Sequence, residues 1–256
     1  MAYLTTLREF QTRLLSLRDS LPMDCLLCRT RTPGGLCRHC RHAICASMLK
    51  ADGRCARCDV LLVPGAVHCS DCRVLTPALE RVVAAFDYAW PGELLIQRLK
   101  LRGQFSCVPV LAGLLAARCH ALRAQADAPP LWCGNSAWVT AVPASRSALA
   151  ARGYNPAGEV ARALARRLAL EWRPDLLQRA HERAGQKGLN RQARRRAVQG
   201  LYRCPVTGVA GKDILVVDDV MTTGSTLSAI ADVLKDQGAA KVWGAVLART
   251  PQRDTG

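Results

Sequence analysis

The sequence predicts an α/β protein, a parallel sheet flanked by helices, with a small metal-binding module in front of it. Three observations predict this. Eight of the thirteen cysteines fall in four Cys-x-x-Cys pairs in the first third of the 256-residue chain. From about Pro77 the cysteine density drops and short apolar runs alternate with amphipathic stretches. Residues 214–226, ILVVDDVMTTGST, join an apolar strand to two acids, a hydroxyl-rich loop and a helix start. The expected organisation is a module over residues 1–76 and an α/β domain over 77–256.

The module opens on residues that space Leu7, Phe10, Leu14, Leu17 and Leu21 by three and four, an amphipathic helix with one packing face. Charges run through this stretch and no small-residue cleavage site follows, so it does not read as a secretory signal. No run of about 18 apolar residues occurs anywhere, which argues against membrane insertion. Without an export signal, thirteen cysteines point to metal ligands or free thiols in a reducing compartment, and a cytoplasmic location is expected.

The pairs are Cys25/Cys28, Cys37/Cys40, Cys55/Cys58 and Cys69/Cys72. A two-residue gap lets both thiolates of a tight knuckle face one ion, and two knuckles complete a tetrahedral site. Zinc is favoured over disulfides, a redox motif or an iron–sulfur cluster. Disulfides conflict with the compartment, and no thioredoxin-like pattern follows the pairs. The spacing allows sequential pairing of the knuckles or a crossed arrangement. Four thiolates leave no open coordination position, so two structural Zn2+ ions are expected. His39, His42, His68 and Cys45 read as bystanders, and Cys107, Cys119, Cys133 and Cys204 as ordinary residues.

In the α/β domain, residues 82–88 read as a strand and 93–99 and 108–122 as helices. A strand at 137–142 and a helix at 158–170 follow. Strands at 213–217 and 242–248 flank a helix carrying Leu227, Ile230, Val233 and Leu234 that stops near Gly238. Parallel sheets bind ligands at the carboxyl ends of their strands. There Asp218 and Asp219 can accept hydrogen bonds from sugar hydroxyls. Thr222, Thr223, Gly224, Ser225 and Thr226 bring backbone N–H groups, hydroxyls and a helix dipole to one spot, which suits a phosphate. No Lys follows, so the loop is not the Walker type. A strand end and a helix cap alone could occur in any α/β protein. The conjunction of aliphatics, paired acids and Thr-Thr-Gly-Ser-Thr points instead to a phosphorylated sugar.

The chain carries 36 Lys and Arg against 20 Asp and Glu, a net charge of +16. Between Arg146 and Arg203 there are fourteen Lys or Arg and four Asp or Glu, so most of the excess is local. Such a patch favours polyanionic partners, nucleic acid or phosphorylated small molecules.

Residues 214–226 resemble the PRPP-binding loop of type I phosphoribosyltransferases. The whole chain resembles the ComF competence family, which includes the GntX-type proteins. The tandem Cys-x-x-Cys module is similar to that family's double zinc ribbon. Residues 85–88 and 95–103 resemble its FDY…LKxxG segment, Val142, Pro143, Arg146 and residues 152–155 its VP…R…RGFN element, and Gln186, Leu189 and the following arginines its flexible segment. Pro156 stands where the family usually has Gln, and Ala197 where it often has Asn.

The resemblance implies a type I phosphoribosyltransferase fold, a catalytic acid pair Asp218 and Asp219 on the PRPP ribose, and Thr222 to Thr226 on its 5-phosphate. It implies a pyrophosphate loop of Pro143, Ala144, Ser145 and Arg146, with Lys100 and Arg152 as further phosphate contacts. Mg2+ is implied with PRPP. So are single-stranded DNA as a partner in natural transformation and a helicase or other DNA-uptake protein as a docking partner. Arg191, Arg194, Arg195 and Arg196 would close over PRPP, bind DNA phosphates, or form a solvated helix face. A nucleobase salvage enzyme and a non-catalytic PRPP-sensing adaptor are the alternatives, because no residue identifies the attacking nucleophile.

Overall fold

The structure, a computed structural model, describes residues 20–49, 53–62, 65–66, 68–69, 72, 78–124, 137–180 and 200–251. The expected helix through Leu7, Phe10, Leu14 and Leu17 lies outside the described residues. So do the 76–77 junction, Gln186, Leu189, Arg191, Arg194, Arg195, Arg196 and Ala197. Leu21, expected on the packing face, is exposed.

A hairpin of β1 (Pro22–Asp24) and β2 (Arg31–Pro33) leads to α1 (Arg38–Cys45) and a 3-10 turn (Ala46–Leu49). The α/β part runs β3 (Arg81–Asp87), α2 (Gly92–Arg102), α3 (Cys107–Arg123), β4 (Trp138–Ala141), α4 (Arg146–Arg152), α5 (Pro156–Leu168) and β5 (Glu171–Trp172). A short antiparallel pair, β6 (Gln178–Arg179) and β7 (Tyr202–Arg203), precedes β8 (Asp213–Met221), α6 (Ser225–Asp236) and β9 (Lys241–Arg249). Five strands form one wholly parallel sheet in the order β3-β9-β8-β4-β5.

The central strand shows why the sequence folds this way. Ile214, Leu215, Val216 and Val217 are completely buried, the all-apolar pattern of a parallel strand covered on both faces. Helix α5 begins with Pro156 in its first turn, where the missing N–H is harmless, and with Glu159 against the positive end of its dipole. It buries Val160, Ala161, Leu164 and Leu168 on one stripe. Helix α6 buries Leu227, Ile230, Ala231 and Leu234. It lies so close to the sheet that a Cβ on Gly244 would stand 3.0 Å from Leu227.

Two departures from expectation matter. The strand expected to stop at Val217 continues to Met221, because β9 goes on pairing with it as far as Met221 opposite Arg249. The β4 ladder meanwhile stops at Ala141 opposite Val217. Asp218 and Asp219 therefore ride on a strand end that projects past one neighbour. Helix α4 was not anticipated; seven residues are too few to show a period.

Edge strand β3 presents its outward N–H groups to the cysteine-rich module rather than to water. Val82 N–H donates to the Arg57 carbonyl at 2.6 Å, and Ala84 N–H to the Asp59 carboxylate at 2.9 Å. Arg118 reaches the same carboxylate at 3.3 Å. Arg54 grips Asp87 with two hydrogen bonds, 3.0 and 2.6 Å, at side-chain exposures of only 4% and 10%. Breaking a buried pair by removing one partner costs about 3–5 kcal/mol. Arg54→Met should therefore lower stability by that order in thermal or denaturant unfolding, and Asp87→Asn in the same chain should recover part of the loss.

Candidate functional site

The eight cysteines fall into two groups, Cys25, Cys28, Cys37 and Cys40 and then Cys55, Cys58, Cys69 and Cys72, with the sulfurs of each group within 4.8 Å of one another. The grouping is sequential, not crossed. The Cys28 and Cys37 sulfurs are 3.6 Å apart, as are those of Cys58 and Cys69. Tetrahedral zinc with Zn–S near about 2.3 Å puts sulfurs about 3.8 Å apart, so both groups fit the ion. Backbone N–H groups turn toward the thiolates, Cys37 N–H onto Cys25 Sγ and Cys40 N–H onto Cys37 Sγ, both at 3.5 Å.

The second constellation lies at the carboxyl end of the sheet. Adjacent residues on a strand face opposite ways. Asp219 meets Lys100, from the last turn of α2, at 2.8 Å, and Asp218 lies near Tyr202 of β7. The Asp218 carboxylate also accepts the Asp219 N–H at 2.8 Å. Beyond Met221 the chain turns through exposed Thr222 and half-buried Thr223 into Gly224, whose φ of +76° is the left-handed conformation that caps α6. Thr223 and Ser225 hydroxyls sit 3.1 Å apart at the first turn of α6, and the Tyr202 side chain lies near Thr226. Thr222 to Thr226 thus gather around one helix N-terminus, next to the acid pair.

The neighbouring strand supplies the facing wall. After β4, Pro143 and Ala144 lead to Ser145, whose hydroxyl accepts the Ala148 N–H at 3.1 Å and caps α4. Arg146 opens this helix, exposed, and Arg152 ends it with a buried Nε that has no acceptor among the described residues. Asn155 donates to the Val142 carbonyl at 2.9 Å, and Tyr154 donates to the Leu99 carbonyl beside Lys100 while its ring meets Phe105 at 4.7 Å. The loop after β4 and the end of α2 are therefore tied together. An open cleft of about 410 Å3 borders this loop, with Pro143, Ala144, Leu149, Asn155, Trp172 and Leu177 in its walls.

Of the residues singled out from sequence, Asp218, Asp219, Lys100 and Thr222 to Thr226 converge, and Pro143 to Arg146 stand at the end of the adjacent strand. Lys100 pairs with Asp219 rather than joining the loop after β4. Two residues near this site escaped the sequence reading. Arg249, which follows an apolar run, closes β9, and Tyr202 sits in a two-residue strand. The signal for Arg249 was a single charge ending a strand beside the acidic one.

Burial pushes the Asp218 carboxyl up to about 7, and the Asp219 charge adds to this, against the pull of the Asp219 N–H and Lys100. In an unfolded chain Asp titrates near about 3.9. Between these values the folded chain holds the extra proton, so stability falls as pH rises through the window. Asp218→Asn removes this penalty. Its melting temperature should exceed that of the unsubstituted protein most above about pH 7, with the gain fading toward about pH 4; a gain independent of pH would contradict the assignment.

A family model described as a phosphoribosyl transferase domain matches residues 148–255. The DNA utilization protein YhgH of Escherichia coli O157:H7 is 30% identical over 233 residues, covering 90% of this chain and 99% of that protein. Competence protein F of Haemophilus influenzae is 30% identical over 233 residues, 86% of this chain and 95% of that protein. A crystal structure from Thermus thermophilus aligns with a TM-score of 0.33 at 19% identity, over 57% of this chain and 84% of that one, too slight a likeness to carry weight. Among the described residues no helix is long and apolar enough to cross a membrane. Identity at this level along nearly the full length of both proteins, with paired four-cysteine clusters ahead of a phosphoribosyltransferase domain, means that this chain belongs to the ComF family.

Proposed function

We propose that the carboxyl end of the sheet binds Mg-PRPP or a related phosphoribosyl ligand, and that the protein handles single-stranded DNA during DNA uptake. The observation that carries the first half is the hydroxyl-rich loop, Thr222 to Thr226, turning into α6 beside Asp218 and Asp219. In this reading the two acids accept the ribose hydroxyls, and the loop and helix N-terminus hold the 5-phosphate. Pro143 to Arg146 with Arg152 face the pyrophosphate. Lys100 starts on Asp219 and turns to the pyrophosphate once sugar hydroxyls occupy the acid. The carboxylates are hard oxygen donors of the kind Mg2+ takes alongside substrate phosphates, and they would hold the ion, which supplies charge neutralisation of the pyrophosphate.

The two cysteine clusters would each hold a structural Zn2+ and stiffen the module against β3. Support for DNA handling comes from the names of the relatives and from the charge distribution. A cleft of about 740 Å3 between α1 and α3 is lined by Arg38, His39, Arg41, His42 and Arg118 and, among the described residues, by no acid. The arginines at 191 and 194–196 are a second candidate surface for phosphates. A helicase or other DNA-uptake protein is the partner class this role requires.

Calorimetry should show Mg-PRPP binding that Asp219→Asn weakens at least about tenfold, the loss of a hydrogen-bonded charged group. Absence of binding by the unsubstituted protein would remove the first half of the proposal. Pyrophosphate release on adding a nucleobase would identify a salvage enzyme, and tight binding without release a sensor. In gel-shift titrations with single-stranded DNA, affinity should fall steeply with salt. Replacing Arg38 and Arg41 together by Ala should lower the log–log slope by about 1.4, close to 0.7 per lost phosphate contact.

A further inference from the structure

Arg249 is buried, with 5% of its surface exposed, at the carboxyl end of β9, beside the strand that carries the acid pair. Its Nη1 donates to the carbonyl oxygens of Met221 at 3.2 Å, Thr250 at 3.1 Å, and Thr222. The Met221 carbonyl also accepts the Thr250 N–H at 2.9 Å. Its acceptors among the described residues are all neutral, and its Nε has none. A buried cation without a counter-charge is unfavourable unless something else supplies the negative charge.

The geometry says where that charge belongs. In a trans peptide the C=O and the following N–H point in opposite directions. Drawing the Met221 and Thr222 carbonyls inward onto one guanidinium turns the N–H groups of Thr222 and Thr223 outward. Consecutive N–H groups on one side of the chain form an anion-binding concavity. Gly224, with φ at +76°, then carries the chain into α6, whose first N–H groups complete the concavity. The carbonyls of the loop are thus held away from the anion by the residue whose charge attracts it.

The structure assigns Arg249 as the positioning residue of the 5-phosphate loop, which it shapes through two consecutive carbonyls while its uncancelled charge awaits the phosphate. This rests on the phosphoribosyl reading above and adds to it a residue outside the loop and outside the acid pair. Asp87, opposite Arg249 in the register, is engaged by Arg54 and leaves the guanidinium to the loop.

The test compares Arg249→Met, which keeps length but removes the donors, and Arg249→Gln, which keeps an amide N–H2 without the reach, against the unsubstituted protein. Calorimetry with ribose 5-phosphate and with Mg-pyrophosphate separates the two ends of the ligand. Ribose 5-phosphate affinity should fall at least about tenfold in both variants while Mg-pyrophosphate affinity changes less than about twofold. A merely structural role would lower both affinities together or neither, and either result overturns the assignment. Where Arg249→Met does not fold, Arg249→Gln carries the comparison, and unchanged ribose 5-phosphate affinity in it is the overturning result. If the unsubstituted protein binds neither ribose 5-phosphate nor Mg-PRPP, the parent reading fails and this one with it; binding by the unsubstituted protein matched by the variants defeats Arg249 alone.

Discussion

A parallel sheet leaves backbone hydrogen-bonding groups unpaired along its edge strands and wherever neighbouring strands differ in length, and each must find a partner or water. Much of this molecule follows from how they are satisfied. At the β3 edge the partners are Arg57 O and the Asp59 carboxylate of the second cysteine knuckle. At the carboxyl end, where β8 and β9 outrun β4, they are side chains: Asn155 for the Val142 carbonyl, and Arg249 for those of Met221 and Thr222. One constraint therefore both attaches the small module and shapes the candidate site.

The two cysteine clusters differ in what they are attached to. The second continues directly into the residues that cover β3, with Arg54 ahead of Cys55 and Asp59 behind Cys58. Its geometry is thus coupled to the sheet through ionic and backbone contacts. The first sits between the β1–β2 hairpin and α1, whose Ile44 packs near Phe86 and Gly92. That docking is apolar, and the outer face of α1 is left with its exposed arginines. A covering of one sheet edge by a module also removes a strand that could otherwise pair with another chain.

The electrostatics at the strand end run against stability. Two carboxylates are adjacent, one of them pushed toward neutrality by burial, and a guanidinium is buried against neutral carbonyls. At this strand end, among the described residues, only the Lys100–Asp219 pair is compensated, and it is partly exposed, so its own contribution is small. Under the proposed phosphoribosyl reading, the ligand would relieve this state, its hydroxyls donating to the acids and its phosphate bringing negative charge toward the guanidinium.

The sequence by itself determined the sheet class, the four cysteine knuckles and the strand–loop–helix unit, because each is written in local spacing. Two-residue gaps make knuckles, four buried aliphatics make a covered parallel strand, and Thr-Thr-Gly-Ser-Thr makes a hydroxyl-rich helix start. Only the tertiary structure decided which knuckles come together in one cluster, since spacing permits both pairings. It alone decided that Asp218 and Asp219 belong to a strand that runs on to Met221, because that depends on the length of β9, not on β8. Lys100 on Asp219 and Arg249 on the loop carbonyls join residues 119 and 27 positions apart. No local pattern encodes such contacts; they exist because the parallel sheet brings the carboxyl ends of distant strands to one place.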